Sequence, residues 1–170
     1  MRGAFGFSGQ KCSATSRVYV ERDVYDDFVE KLVEKTSSLK VGNPIQPDVF
    51  TGPVIDEAAV ARFVEAVDET EASGGTVLAG GHVLDEGDLA RGHFVEPTVV
   101  RAKLADRVCQ EEVFGPFVTV STFKDDAEVL EMANNTVYGL GGGLWTSNLQ
   151  RAHVMARHME AGMVWINCYK

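Results

Sequence analysis

Cys12 lies in the run Gly9-Gln10-Lys11-Cys12-Ser13-Ala14-Thr15-Ser16-Arg17, directly ahead of the β-branched and aromatic stretch Val18-Tyr19-Val20. A thiol among small and polar residues at the start of a strand is placed where a chain exposes a nucleophile. The thiolate is the reactive form, so a neighbouring cation favours the chemistry. Lys11 is next in sequence, and Ser13 and Ala14 leave room for a substrate. The same residues also fit an inert thiol, because free cysteines are among the most buried side chains. The second run with chemical potential is Gln110-Glu111-Glu112-Val113-Phe114-Gly115-Pro116-Phe117. Read alone, its adjacent carboxylates describe a solvated pair at the entrance to a strand.

Other clusters carry less. The cysteines at 12, 109 and 168 show no C-x-x-C spacing, and His82, His93, His153 and His158 pair with none of them at a metal-ligand interval. The histidines read as surface or rim residues, and Cys109 and Cys168 as inert small residues. Gly139, Gly141, Gly142 and Gly143 do not form Gly-x-Gly-x-x-Gly, and a strand follows them where a phosphate loop requires a helix N-terminus.

The elements that must position these residues alternate between strand and helix, which predicts an α/β domain with a largely parallel sheet and helices on both faces. Arg17–Val20 reads as a strand. Asp23 then caps a helix carrying Val24, Phe28, Val29, Leu32 and Val33 at helical spacing. Val41 to Pro53 reads as a long ordered loop. Asp56 opens a second helix with Val60, Phe63, Val64 and Val67 on one face, closed by Gly74-Gly75. Thr76–Ala79 is a strand, and the stretch from His82 to Gly92 is loop-like. Phe94–Val100 is extended, with Pro97 placing it at an edge or a bend. Phe117–Phe123 is a strong strand. Asp125 or Asp126 caps a helix around Val129, Leu130 and Met132, Leu140–Trp145 is a glycine-rich strand, and Ser147 or Asn148 caps a helix burying Leu149, Ala152, Met155, Ala156 and Met159. Met163–Asn167 is the last strand.

At 170 residues, with 45% hydrophobic and 24% charged residues, the chain reads as one soluble domain, residues 1–170. The net charge of −9 and the lack of a Lys/Arg cluster argue against a nucleic-acid or anionic-membrane partner. An odd number of widely spaced cysteines, no long apolar run and no leader-like h-region predict a reducing, cytoplasmic setting. In that setting the Asn134-Asn135-Thr136 triplet is a chance match to a glycosylation signal.

Gly-Gln-Lys-Cys-Ser-Ala-x-x-Arg resembles the catalytic cysteine segment of the aldehyde dehydrogenase superfamily, particularly its 1-pyrroline-5-carboxylate (glutamate semialdehyde) branch. Glu111-Glu112-Val113-Phe114-Gly115-Pro116 resembles the family's Glu-Glu-Ile/Val-Phe-Gly-Pro run. Gly42-Asn43-Pro44 with Thr51-Gly52-Pro53-Val54-Ile55, Tyr138-Gly139-Leu140 through Trp145-Thr146, and Gly162-Met163-Val164-Trp165-Ile166-Asn167 resemble further family runs, in the family's order. The resemblance implies a three-layer αβα catalytic domain, with Cys12 as nucleophile. It implies that Glu112 takes the hydroxyls of the nicotinamide ribose of NAD or NADP, that Phe114 lines the cofactor, and that Asn167 is brought towards the cleft.

In such an enzyme the thiolate attacks an aldehyde, the Cys12 N–H helps hold the oxyanion, and a thioester is hydrolysed to a carboxylic acid. The family's general-base Glu, oxyanion Asn and cofactor domain are expected upstream and its oligomerisation strand downstream. The chain therefore reads as an excised catalytic domain of a homo-oligomeric parent, inactive by itself. In the glutamate semialdehyde branch the Ser after the Cys binds the substrate carboxylate, which makes Ser13 the candidate, although it also fits as a small residue permitting access. The ending Asn167-Cys168-Tyr169 is closer to general aldehyde or betaine-aldehyde branches. A CoA-acylating semialdehyde dehydrogenase, a non-enzymatic redox-thiol module and a structural fragment are the alternatives.

Overall fold

The computed structural model describes residues 1–169. A short helix α1 (Arg2–Phe5) and a tight turn over Gly6–Gly9 lead past Cys12 into β1 (Arg17–Glu21). Helix α2 (Tyr25–Ser37), α3 (Glu57–Ala72), β2 (Thr76–Ala79), β3 (Val83–Leu84), β4 (Phe94–Val95) and β5 (Thr98–Arg101) follow. The remainder is α4 (Arg107–Gln110), β6 (Phe117–Phe123), α5 (Asp126–Asn134), β7 (Gly141–Leu144), α6 (Leu149–His158) and β8 (Met163–Ile166). No helix among the described residues is long and apolar enough to cross a membrane.

The main sheet has the order β1-β6-β5-β2. β6 runs parallel to both β1 and β5, and only β2 is antiparallel. β7 and β8 form a separate parallel pair and β3 and β4 an antiparallel one. Alternation along the strands sends side chains to opposite faces. Val99, Val118 and Val120 meet Val29, Leu32 and Val33 of α2. Val100 and Phe117 meet Phe63, Ala66 and Val67 of α3 on the other face. The result is the expected helix–sheet–helix layering with a largely parallel sheet. A third cluster joins Phe123 to Val129 and Met132 of α5 and Met155 of α6.

The caps read from the sequence are present where the capping geometry is local. Asp56 accepts the N–H of Ala59, Asp125 that of Glu128, and Asn148 that of Arg151. Asp23 is a correction: it sits in a 3₁₀ turn over Arg22–Val24, and α2 starts at Tyr25 with Val24 at the cap position and no side-chain cap. The face of α2 is rotated accordingly, so that Val24 and Phe28 are exposed while Tyr25, Val29, Leu32 and Val33 pack. Val64 and Leu149 likewise turn outward.

The extended stretch expected over 94–100 is broken at Pro97 into β4 and β5, and β5 is an interior strand between β6 and β2. The proline satisfies its exclusion from ladders by occupying the joint. Thr98 repairs the break, its hydroxyl donating to the Glu96 carbonyl and accepting the Gly81 N–H. The 82–92 region contains β3 and a 3₁₀ turn over Gly87–Arg91 where a plain loop is expected.

Phe63 and Phe117 meet edge-to-face with ring centroids 6.4 Å apart, tying α3 to the strand that follows the Glu112 run. Truncating a fully buried phenylalanine removes its transfer energy and leaves a cavity. Phe63→Ala is expected to cost about 3–5 kcal/mol, read as a lower urea midpoint.

Candidate active site

The chain turns sharply before the thiol. Phe7, Ser8 and Gly9 have φ of 61, 55 and 67°, three consecutive residues in the left-handed region. For the two non-glycine residues this costs about 1–2 kcal/mol each. Ser8 supplies the compensation. It is buried, its N–H donates to Thr51 Oγ1 at 2.9 Å, and the two hydroxyls lie 2.9 Å apart. Ser8 Oγ also reaches the carbonyls of Gly52 at 2.9 Å and Pro53 at 3.1 Å. The protons have one consistent arrangement: Thr51 O–H donates to Ser8 Oγ, and Ser8 O–H is shared between the two carbonyls. The loop at Thr51-Gly52-Pro53 is therefore the wall against which the segment before Cys12 is bent.

Gly9 is required by contact as well as by angle. A Cβ there would lie 2.0 Å from the Gly115 carbonyl oxygen and 2.9 Å from the Pro116 nitrogen. This backbone-to-backbone contact brings the two sequence runs together. Gly9, Thr15 and Ser16 line one wall of a narrow crevice, and Glu112, Phe114 and Gly115 line the other.

Cys12 and Ser13 are the central residues of a turn closed by the Ala14 N–H donating to the Lys11 carbonyl at 2.8 Å. The Cys12 side chain is exposed. Among the described residues, the Cys12 N–H has no acceptor and the Ser13 hydroxyl no partner. Beyond the turn, the Thr15 N–H donates to the Gly3 carbonyl, and the Ser16 carbonyl accepts the Thr119 N–H, both at 3.0 Å. β1 thus enters the sheet in register with β6.

Glu112 is half-buried, and burial pushes its carboxyl above the ordinary 4.5. Its N–H donates to the Tyr138 hydroxyl at 3.3 Å, which puts the Tyr138-Gly139-Leu140 run beside it. Among the described residues no donor meets its carboxylate, so a group with paired hydroxyls fits the vacancy in its hydrogen bonding. Phe114 adopts φ 55° with its ring part-exposed, aimed outward by the turn through Gly115-Pro116.

Asn167 has a structural role at the end of its strand. Its carboxamide bonds the backbone of Thr146, accepting from the N–H at 2.8 Å and donating to the carbonyl at 2.9 Å. It locks the end of β7 to β8. Cys109 is buried, and burial pushes its thiol up, whereas Cys168 is exposed. All four histidines are exposed. Ser8, Thr51 and Tyr138 build the site; the sequence shows Thr51 and Tyr138 only as members of family-like runs and gives none of the three a role here. Ser8 and Thr51 are 43 residues apart, and no local spacing pairs them.

Gly9→Ala is expected to lower Tm well beyond Gly74→Ala. Both glycines have positive φ, but a Cβ on Gly74 would meet nothing within 4 Å, so the difference isolates the Gly115 contact. Glu112→Gln tests the carboxylate. A raised folded-state pKa means that stability is fully present below about pH 4.5 and lost as pH rises through the raised value. The Gln variant should therefore melt higher than wild type at pH 7 and alongside it at pH 4.

The whole chain, residues 1–170, matches the aldehyde dehydrogenase family. It is 41% identical over 167 residues to an acetaldehyde dehydrogenase of Pseudomonas aeruginosa, covering 98% of this chain and 33% of that one. Identity to a 1-pyrroline-5-carboxylate dehydrogenase of Bacillus subtilis is 48% over 156 residues, covering 89% and 28%. The crystal structure of PnpE in complex with nicotinamide adenine dinucleotide superposes with a TM-score of 0.94 at 50% identity, covering 99% of this chain and 35% of that one. The chain thus spans about a third of the length of the curated relatives it matches.

Proposed function

The chain belongs to the aldehyde dehydrogenase family, and from that premise we propose that residues 1–170 are the thiol-bearing part of an NAD- or NADP-dependent enzyme that oxidises an aldehyde to a carboxylic acid. The observation that carries the reading is the Gly9–Gly115 contact, which brings the residues flanking the exposed Cys12, Gly9 and Ala14 to Ser16, against the Glu112–Phe114 loop.

In this reading the Cys12 thiolate forms the C–S bond to the aldehyde carbon as the carbonyl π pair moves to oxygen. The uncommitted Cys12 N–H then faces a developing oxyanion, the charge that a pre-placed donor stabilises best. A nicotinamide dinucleotide, when bound, supplies the acceptor for the hydride that leaves the tetrahedral carbon. Glu112 would hold its ribose hydroxyls and Phe114 would flank its ring; the half-buried carboxylate, without a donor among the described residues, supports the first role. The thioester left on Cys12 is cleaved by water, which gives the acid and returns the thiolate.

For the substrate we favour glutamate semialdehyde. The Lys11-Cys12-Ser13 run and the Bacillus subtilis relative support that branch, and the Ser13 hydroxyl is free among the described residues to meet a substrate carboxylate. Simple aliphatic aldehydes are the second reading, supported by the Pseudomonas aeruginosa relative.

NADH formation by the parent enzyme, of which residues 1–170 are the thiol-bearing part, should be faster with glutamate semialdehyde than with acetaldehyde and should vanish in Cys12→Ala. Ser13→Ala should raise KM for the semialdehyde about tenfold, the size of one hydrogen bond to a charged group, and leave KM for acetaldehyde unchanged. Preference for acetaldehyde would discard the substrate assignment and keep the reaction. Activity surviving Cys12→Ala would discard both.

A further inference from the structure

We infer that Tyr169 is a positioning residue for Cys12, holding the nucleophile through the residues on either side of it. The inference rests on Cys12 being the nucleophile. Nothing among the described residues fixes the Cys12 side chain directly, so its aim is inherited from its own turn. Tyr169 meets that turn at two points. Its phenol O–H donates to the Ser13 carbonyl at 3.1 Å, which fixes the peptide plane following Ser13. Its ring centroid lies 5.8 Å from the Lys11 ammonium, within range of a cation–π attraction.

The ring is itself supported. Trp165 of β8 lies behind it, with centroids 6.1 Å apart and planes tilted by 51°. On another side is Gly3, where an added Cβ would come within 3.4–3.5 Å of the tyrosine ring and 3.0 Å of Thr15 Oγ1. Gly3 also accepts the Thr15 N–H, so the ring packs where the far end of the turn is anchored. Ser8 and Thr51 hold the segment before the thiol, and Tyr169 holds the residues around it. The β7–β8 pair thereby acts on a nucleophile carried by the main sheet.

Acylation by 4-nitrophenyl acetate tests this without cofactor or aldehyde. A thiolate attacks the ester carbonyl, the acyl group becomes a thioester, and nitrophenolate leaves as a measurable burst. In the full chain, Tyr169→Phe keeps the ring but removes the hydrogen bond, and Tyr169→Leu removes both contacts. Small displacements of a reacting group cost rate steeply, so Tyr169→Phe should slow the burst about tenfold and Tyr169→Leu further. The half-saturating ester concentration should stay within about twofold, with Tm close to wild type in Tyr169→Phe. Wild-type burst rates in a folded variant, or losses that merely follow Tm or saturation, would overturn the inference. If Tyr169→Leu does not fold, Tyr169→Phe alone decides. Cys12→Ala in the same assay separates the two readings: a burst that survives it removes Cys12 as nucleophile. A burst lost in Cys12→Ala but normal in both Tyr169 variants removes only the role of Tyr169.

Discussion

The contact between Gly9 and the carbonyl of Gly115 is the constraint on which the site depends. Two backbones approach so closely that no Cβ fits between them, and one of them must also run left-handed. That approach holds the residues flanking the thiol and the carboxylate loop as opposite walls of one crevice. Much of the surrounding structure serves to keep the two backbones there. Parallel pairing of β1 with β6 fixes the height of each loop above the sheet. Ser8 and Thr51 fix the bend, and Phe63 against Phe117 fixes the strand behind the second loop.

The site also shows the usual tension between function and stability. Phe7, Ser8, Phe114 and Asn167 are the non-glycine residues with positive φ among those described, and the first three belong to the two loops of the crevice. Glu112 is kept partly out of water with no donor to its carboxylate among the described residues, an arrangement that folding alone would not favour. Local rules of propensity and solvation are broken where chemistry is expected, and the surrounding hydrogen bonds carry the cost.

Much of the fold was legible because its signals are local. Asp56, Asp125 and Asn148 cap through contacts three residues along, and alternating apolar strands between helical patterns imply covered sheet faces. Asp23 failed because a 3₁₀ turn displaced the helix start, and the face of α2 rotated with it. Cys12, Glu112 and Phe114 stood out through runs resembling a known family. Ser8–Thr51 and Ser13–Tyr169, separated by 43 and 156 residues, did not, because pairing across such distances is set by tertiary packing. Asn167 shows the converse: its motif was visible, but the partner that uses its amide, the Thr146 backbone, became visible only in three dimensions.

The dependence of the thiol turn on distant wall residues has a kinetic side. Closing a long loop costs chain entropy before any contact rewards it. The left-handed run at Phe7–Gly9 gains its compensation only once Thr51 is in place, and Gly9 only once the strand after Gly115 has joined the sheet. Helices α2 and α3 can form from local contacts, but the bend that presents Cys12 cannot persist before the sheet exists. The turn that carries Cys12 therefore depends on the assembled sheet and not on local contacts alone. A misassembled or half-folded chain does not hold Cys12 in this conformation.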